Sequence, residues 1–210
     1  MSEYPAMIRL TGKKVTVIGG GKVAERKIDS LLQAGGSVVV ISPDVTDQIK
    51  QWSQDMKLTW ISKGFDPKDV TDAFIVIAAT NNREINKKVC QSVNEHQLIN
   101  IVDHPEKSNF IVPSTFRQGQ LTIAISTSGA SPGLAKKIKR DLANQYDASY
   151  GNYLDFLKSC REIVKQQVKS SEDRKRIFEQ LLTDEFLKLT QRGEFEERKN
   201  RFMSLMQVKE

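Results

Sequence analysis

Residues 13–44, KKVTVIGGGKVAERKIDSLLQAGGSVVVISPD, constrain the fold more than any other stretch of the chain. Val15, Val17 and Ile18 belong to an apolar, β-branched run that stops at Gly19, Gly20 and Gly21, the pattern of a buried parallel strand. Gly19, Gly21 and Ala24 then fit G-x-G-x-x-G/A. In that pattern one small residue makes the turn, one lets backbone approach a pyrophosphate closely, and one allows helix and strand to pack. Val23, Ile28, Leu31 and Leu32 recur at helical spacing before Gly35 and Gly36, and Val38 to Ile41 supply a second strand. A glycine turn that merely packs tightly is the alternative. The strand, helix and strand around it favour a dinucleotide site with phosphate at the helix N-terminus.

The alternation continues downstream. A polar helix is predicted over about Val45 to Gln54, a short strand over 57–62, a loop and helical turn at FDPKDV, and a doubly buried strand over 73–80, AFIVIAAT. A helix from about Asn82 to His96 and a strand at 98–103 complete the pattern. The fold class is therefore α/β, a Rossmann-like doubly wound, mostly parallel sheet. FIVPSTFR and LTIAIST, joined by QGQ, then read as a β-hairpin. Beyond Ser131 the chain is helical by period in LAKKIKRDLANQY, YLDFLKSCREIVKQQV, RIFEQLLTDEFLKLT and RKNRFMSLM, with Tyr153, Leu157, Cys160, Val164 and Val168 on one stripe. The expected division is 1–112 nucleotide-binding, 113–145 hairpin and helix, and 146–210 a C-terminal helical domain.

Composition narrows the class. A chain of 210 residues with 39% hydrophobic and 28% charged residues suits a globular protein with a full core. No apolar run approaches the roughly 20 residues of a membrane span, and MSEYPAMIRL has no basic region followed by an apolar one, so the expectation is a cytoplasmic protein without a membrane partner. Cys90 and Cys160, far apart and on apolar stripes, read as small buried hydrophobes rather than as a disulfide or thiolate cage. The net charge of +6 favours an anionic partner.

Ligands of doubly wound sheets collect beyond the carboxyl ends of the strands. That rule selects Gly19 to Val23, including Lys22, then Ser42, Pro43 and Asp44, then Thr80 to Asn82, including Asn81, and finally Asp103 and His104. Ser42 stands where an acidic residue would hold the ribose of NAD or an arginine would accept the phosphate of NADP. Asp44 could still reach the ribose and no basic residue is expected nearby to take a 2′-phosphate, so NAD is preferred. Asp103 is either a proton acceptor as hydride leaves or a loop aspartate capping its own turn, and His104 is a second acid/base candidate. One histidine at this edge and scattered carboxylates suggest no metal site. In STSGASPG, residues 126–133, Ser131 and Pro132 start a helix that carries Lys136, Lys137, Lys139 and Arg140. Ser126, Thr127, Ser128 and Ser131 make either an ordinary capped helix start or a carboxylate-binding lip.

The glycine turn, AATNN, NIVDHPEKSNFIVPS and STSGASPGLAKKI together resemble the precorrin-2 dehydrogenase family, the stand-alone counterpart of the oxidising and chelating half of siroheme synthase. The resemblance covers nearly all of residues 5–145. It implies NAD-dependent oxidation of precorrin-2 to sirohydrochlorin in siroheme biosynthesis, and a homodimer formed through the second domain. It implies Asp103 as the catalytic residue of the NIVD segment, and Lys22, Val23, Pro43 and Asp44 as cofactor positions. Thr127 departs from the serine of an S-S-G-G-T-S-P loop in bifunctional relatives. A substrate with eight carboxylates would suit a basic protein with hydroxyls at a helix start. Iron insertion by the same chain is the first alternative. A more distant one is an NAD(H)-sensing regulator whose helical half binds nucleic acid. Residues 133–210 hold 17 Lys/Arg against 13 Asp/Glu, interspersed as on solvated helices, which speaks against nucleic acid.

Overall fold

The computed structural model describes residues 3–207, and the chain divides into two compact units, 1–112 and 113–210. In the first unit five parallel strands stand in the order β3-β2-β1-β4-β5: β1 Lys14–Ile18, β2 Ser37–Ile41, β3 Thr59–Ile61, β4 Ile75–Ala78 and β5 Leu98–Ile101. The chain winds outward from β1 through β2 to β3, then returns to lay β4 on the other side of β1. The switch point therefore falls between β1 and β4. Helices α1 Lys22–Gln33, α2 Asp47–Gln54 and α3 Arg83–Ser92 supply the crossovers.

Period-two alternation sorts the strand residues between two cores. Val15, Val17, Val38, Val40, Ile75 and Ile77 pack with Ala24 and Ile28 of α1 and Ile49 of α2. Ile18, Ile41, Val76, Ala78, Ile99 and Ile101 pack on the opposite face with Val70 and with Val89 of α3. Because β4 is covered on both faces, all four of its residues are apolar, while β1 buries Val15, Val17 and Ile18 and with them the polar Thr16.

The predicted elements end differently at several places. Helix α3 stops at Ser92 rather than His96, because Val93 turns extended and the Asn94 N–H donates to Gln97 Oε1 (2.9 Å). Gln97 is 5% exposed, and its amide nitrogen donates to the carbonyls of Val70 (2.5 Å) and Ala73 (2.7 Å). His96 lies exposed in the same turn. Helix α2 begins at Asp47 with Thr46 as its N-cap, two residues later than expected.

The second unit opens with an antiparallel hairpin, β6 Ser114–Gln118 and β7 Leu121–Ile125, turned by Gly119 at φ +57 and Gln120. Five helices follow: α4 Pro132–Gln145, α5 Ala148–Gln167, α6 Ser171–Leu181, α7 Asp184–Gln191 and α8 Phe195–Gln207. Their core holds Tyr153, Cys160 and Val164 of the expected stripe, with Leu157 and Val168 packed against it. The stretch RIFEQLLTDEFLKLT is two helices, not one. Continuous helical spacing from Ile177 and Leu181 would bring Asp184 or Glu185 inward, whereas the break at Leu182 and Thr183 puts Phe186 in the core at 1% exposure. Cys160 is buried, which pushes its thiol up to about 12, while Cys90 is only half-buried.

No helix of the described residues is long and apolar enough to cross a membrane. The Gln97 staple should be costly to remove. Gln97→Leu leaves the buried Ala73 carbonyl without a donor, leaves the Val70 carbonyl with the Ala73 N–H alone (3.2 Å) and takes the acceptor from the Asn94 N–H, and is expected to lower unfolding free energy by about 1–3 kcal/mol, read from the denaturant midpoint. An unchanged midpoint would contradict the role given to Gln97.

Candidate functional site

The three glycines that end β1 are needed for different reasons. Gly19 sits at φ +111, and a Cβ there would lie 2.4 Å from the Ala79 carbonyl oxygen. At Gly20 a Cβ would lie 2.3 Å from the Asp44 carbonyl oxygen. These two are glycines because the strand ends of β4 and β2 crowd them. Gly21 is different. It is the N-cap of α1 at φ −81, and a Cβ built there meets nothing within 4 Å. Packing within the chain gives no reason for glycine at this position; close approach of a ligand to the backbone does.

Around this turn opens a cavity of about 290 Å³. Gly19, Gly20 and Gly21 line it from β1, Ser42, Pro43 and Asp44 from β2, and Ala79, Thr80 and Asn81 from β4. Three of the four segments selected from the sequence thus meet at one place. The first N–H groups of α1 have no intrahelical acceptor, and the first such bond runs from the Glu25 N–H to the Gly21 carbonyl (2.9 Å). Donors and dipole end therefore face the side from which an anion would arrive. Glu25, in the same turn, is engaged: hydrogen bonds from Thr46 first and Lys22 second hold its carboxyl below the ordinary carboxylate range. Lys22 and Val23 do not line the cavity; Lys22 pairs with Glu25 (3.0 Å) and Val23 is 37% exposed. The cradle fits a dinucleotide in shape and in chemistry.

One expectation about this cavity is overturned. Lys63, just after β3, joins Ser42, Pro43 and Asp44 in its wall, so a basic residue does stand near the position where a ribose phosphate would fall. Sequence distance hid it, because β3 pairs alongside β2 and brings Lys63 back from nineteen positions beyond Asp44. Its ammonium is 2.6 Å from Asp69 Oδ1, and the other Asp69 oxygen accepts the Asp66 N–H (2.8 Å). The Ser42 hydroxyl is also in use, donating to the Asp44 carbonyl (2.6 Å).

Asp103 and His104 follow β5 at the same edge of the sheet. The Asp103 carboxylate does not cap the turn after it: His104 is the N-cap residue there, and Asp103 Oδ1 accepts a hydrogen bond from Asn86 Nδ2 (2.8 Å). Its side chain is 27% exposed, with Oδ2 3.8 Å from His104 Nε2. His104 Nδ1 lies 3.0 Å from Glu106, whose carboxyl is held below its ordinary range by its own backbone N–H and then by His104. Sequence reading passed over Asn86. The available signal was its place on α3, three and four residues before Val89 and Cys90, which puts an amide on the inward stripe. It also passed over Lys27, which reaches from α1 to donate to Asn100 Oδ1 (2.9 Å) and whose pKa burial lowers.

In the second unit the 126–131 loop is a tight polar turn. The Ser126 hydroxyl accepts the Ser128 N–H (3.1 Å), Thr127 accepts the Ser131 N–H (3.1 Å), and Ser131 caps α4 by accepting the Leu134 N–H (3.2 Å). Ser128 at φ +48 and Gly129 at φ +83 make the reversal. A hydroxyl that accepts from backbone still carries a proton to donate. Among the described residues no three His, Cys, Asp or Glu side chains come together as a ligand set for a metal ion.

Residues 6–114 match an NAD(P)-binding family, 118–145 the central domain of sirohaem biosynthesis proteins and 150–195 the SirC C-terminal domain. The chain is 35% identical to the precorrin-2 dehydrogenase of Priestia megaterium over 193 residues, 91% of this chain and 96% of that one. It is 36% identical to siroheme synthase 3 of Aeromonas hydrophila, covering 87% of this chain but only 39% of the relative. The solved structure of SirC, a precorrin-2 dehydrogenase, superposes with a TM-score of 0.81 at 32% identity, covering 94% of this chain and all of that one.

The cavity assignment predicts a separation of effects at two glycines. Gly21→Ala should keep unfolding free energy within about 1 kcal/mol yet weaken dinucleotide binding about tenfold or more. Gly19→Ala should instead destabilise the fold, through backbone strain and collision with Ala79. Calorimetric titration with NAD beside thermal melts separates the two, and undiminished NAD affinity in Gly21→Ala would remove the turn from the site.

Proposed function

The chain belongs to the precorrin-2 dehydrogenase family, and from that membership we propose that its sheet edge oxidises precorrin-2 to sirohydrochlorin with NAD as acceptor and Asp103 as the acid/base group. The observation that carries this reading is the position of Asp103. It stands at the carboxyl end of β5 and is tied through one side chain to Thr80 in the wall of the cofactor cavity.

The reaction removes a hydride and a proton from the tetrapyrrole. Bound NAD supplies the hydride acceptor. The chain's own part is to hold the dinucleotide on the Gly19 to Gly21 turn and to offer a carboxylate for the proton. Oδ1 of Asp103 is committed to Asn86, which leaves Oδ2 for the proton, with His104 3.8 Å away as a route onward. Pro43, Asp44, Thr80 and Asn81 frame the cofactor, and Lys22 and Val23 open α1 beside it.

NAD is favoured over NADP by charge. Asp44 offers a carboxylate toward the ribose, and the neighbouring Lys63 is held by Asp69. NAD should bind about tenfold or more tightly than NADP, and Asp69→Asn, which releases Lys63, should narrow that gap. A preference for NADP in the unaltered protein would reverse the assignment.

Ser126, Thr127, Ser128 and Ser131 are assigned to substrate carboxylates. Their support is a hydroxyl-rich turn at the N-terminus of a helix that carries Lys136, Lys137, Lys139 and Arg140. A homodimer is the proposed assembly. The hairpin is a two-stranded sheet with an outer edge on each strand, and Leu134 at the start of α4 is 48% exposed. The catalytic assignment is tested with Asp103→Ala: NADH formation from precorrin-2 should vanish while NAD still binds. Full activity in that variant would overturn it.

A further inference from the structure

Asn86 is an amide sealed inside a helix that otherwise turns apolar residues inward. It is 0% exposed. Its Oδ1 accepts from the Thr80 hydroxyl (2.7 Å) and the Thr80 N–H (3.3 Å), and its Nδ2 donates to the Thr80 carbonyl (3.1 Å) and to Asp103 Oδ1 (2.8 Å). Every hydrogen-bonding position of the amide that these neighbours can reach is filled. Thr80 is further pinned, its hydroxyl oxygen accepting the Asn82 N–H (3.2 Å) and lying 3.0 Å from the Asn82 carbonyl oxygen. Asn82 in turn caps α3, accepting the N–H groups of Glu84 and Ile85. One buried side chain thus locks the loop after β4 to the carboxylate after β5.

A buried amide costs more than an apolar residue unless it is satisfied. Holding the helix needs only the Asn82 cap and the apolar stripe. The bond that neither of these explains is the one to Asp103, a partly exposed carboxylate that water could solvate without help. We propose that Asn86 is a positioning residue for dehydrogenation, fixing Asp103 against the cofactor loop so that Oδ1 is engaged by the protein and Oδ2 alone takes the proton. The inference rests on the dehydrogenase reading above and adds to it the group that orients the acid/base residue.

The amide is specific in a way that a carboxylate is not. In Asn86→Asp the Thr80 contacts at Oδ1 survive, but the donor facing Asp103 becomes an oxygen 2.8 Å from another carboxylate oxygen. Two carboxylates that close share a proton at lower pH and repel when both ionise. The titratable neighbours of Asp103 are His104 and, through it, Glu106, and both are unchanged in every variant.

The test measures kcat for NADH formation from precorrin-2 against pH, with NAD affinity by titration, in the unaltered protein, Asp103→Ala, Asn86→Ala, Asn86→Ser and Asn86→Asp. Expected are a fall in kcat of about 10–100-fold in Asn86→Ala and Asn86→Ser, with NAD affinity within about threefold. Asn86→Asp should show a pH profile of different shape, losing activity steeply as pH rises. Near-normal kcat in Asn86→Ala, or an Asn86→Asp profile that superposes on the unaltered one after scaling, would overturn the inference. So would a loss confined to NAD affinity. If Asn86→Asp does not fold, the split between kcat and NAD affinity in the Ala and Ser variants decides. An active unaltered protein with an inactive Asp103→Ala and normal Asn86 variants overturns this inference alone. No NADH from the unaltered protein overturns the dehydrogenase reading and this inference with it.

Discussion

The crowding at Gly19 is the constraint on which the first unit depends. Strand β1 pairs with β2 on one side and β4 on the other, and at its end the chain must turn within contact of both. The ladder bonds run right up to the turn: the Gly19 N–H donates to the Ile41 carbonyl (3.0 Å) and the Ala79 N–H to the Ile18 carbonyl (2.8 Å). No side chain fits between Gly19 and Ala79, or between Gly20 and Asp44. Three strand ends are therefore held close enough to wall a single cavity, and α1 is launched with its N-terminus at that cavity's edge. Were the turn wider, the sheet could still pair, but Ser42 to Asp44 and Thr80 would not frame the same space.

Several polar groups in the first unit already have a partner inside the protein. Lys63 goes to Asp69, Glu25 to Thr46 and Lys22, Lys27 to Asn100, and Asp103 to Asn86. These contacts differ in consequence. The exposed pairs hold surface groups in place at little net gain. The fully buried Asn86 amide cannot be exchanged for water, so it fixes the geometry of whatever it touches.

The helical unit follows a different logic, with aromatic side chains at its centre. Phe156 stacks on Phe186 (5.9 Å) and meets Phe202 edge-on (6.2 Å), while the Arg198 guanidinium lies 4.2 Å from the Phe156 ring. Arg198 donates to the Thr190 hydroxyl (2.7 Å), which itself donates to the Phe186 carbonyl (2.8 Å). Burial of the guanidinium lowers its pKa, and the ring faces and the hydroxyl are its compensation. Close packing sets the hairpin's place as well: Gly119 in its turn meets Gly151 of α5, where a Cβ on Gly119 would lie 2.9 Å from the Gly151 Cα.

Period and punctuation in the sequence were enough to determine the βαβ start, the five strands, the hairpin and the helical second half, because those signals are local: alternation, helical spacing and glycine stops act within a few residues of one another. The glycine turn, Ser42 to Asp44, Thr80 and Asn81, and Asp103 were legible for the same reason, since a strand's carboxyl end announces which residues stand at the sheet edge. Lys63 and Asn86 were not. Each acquires its place only through strand order, Lys63 because β3 lies beside β2, and Asn86 because α3 crosses back between the ends of β4 and β5. The helix break before Phe186 is of the same kind, since both registers are helical by period and only the demand of one shared core chooses between them. Local chemistry wrote the elements; long-range packing, which brings together side chains distant in sequence, decided which of them face the site.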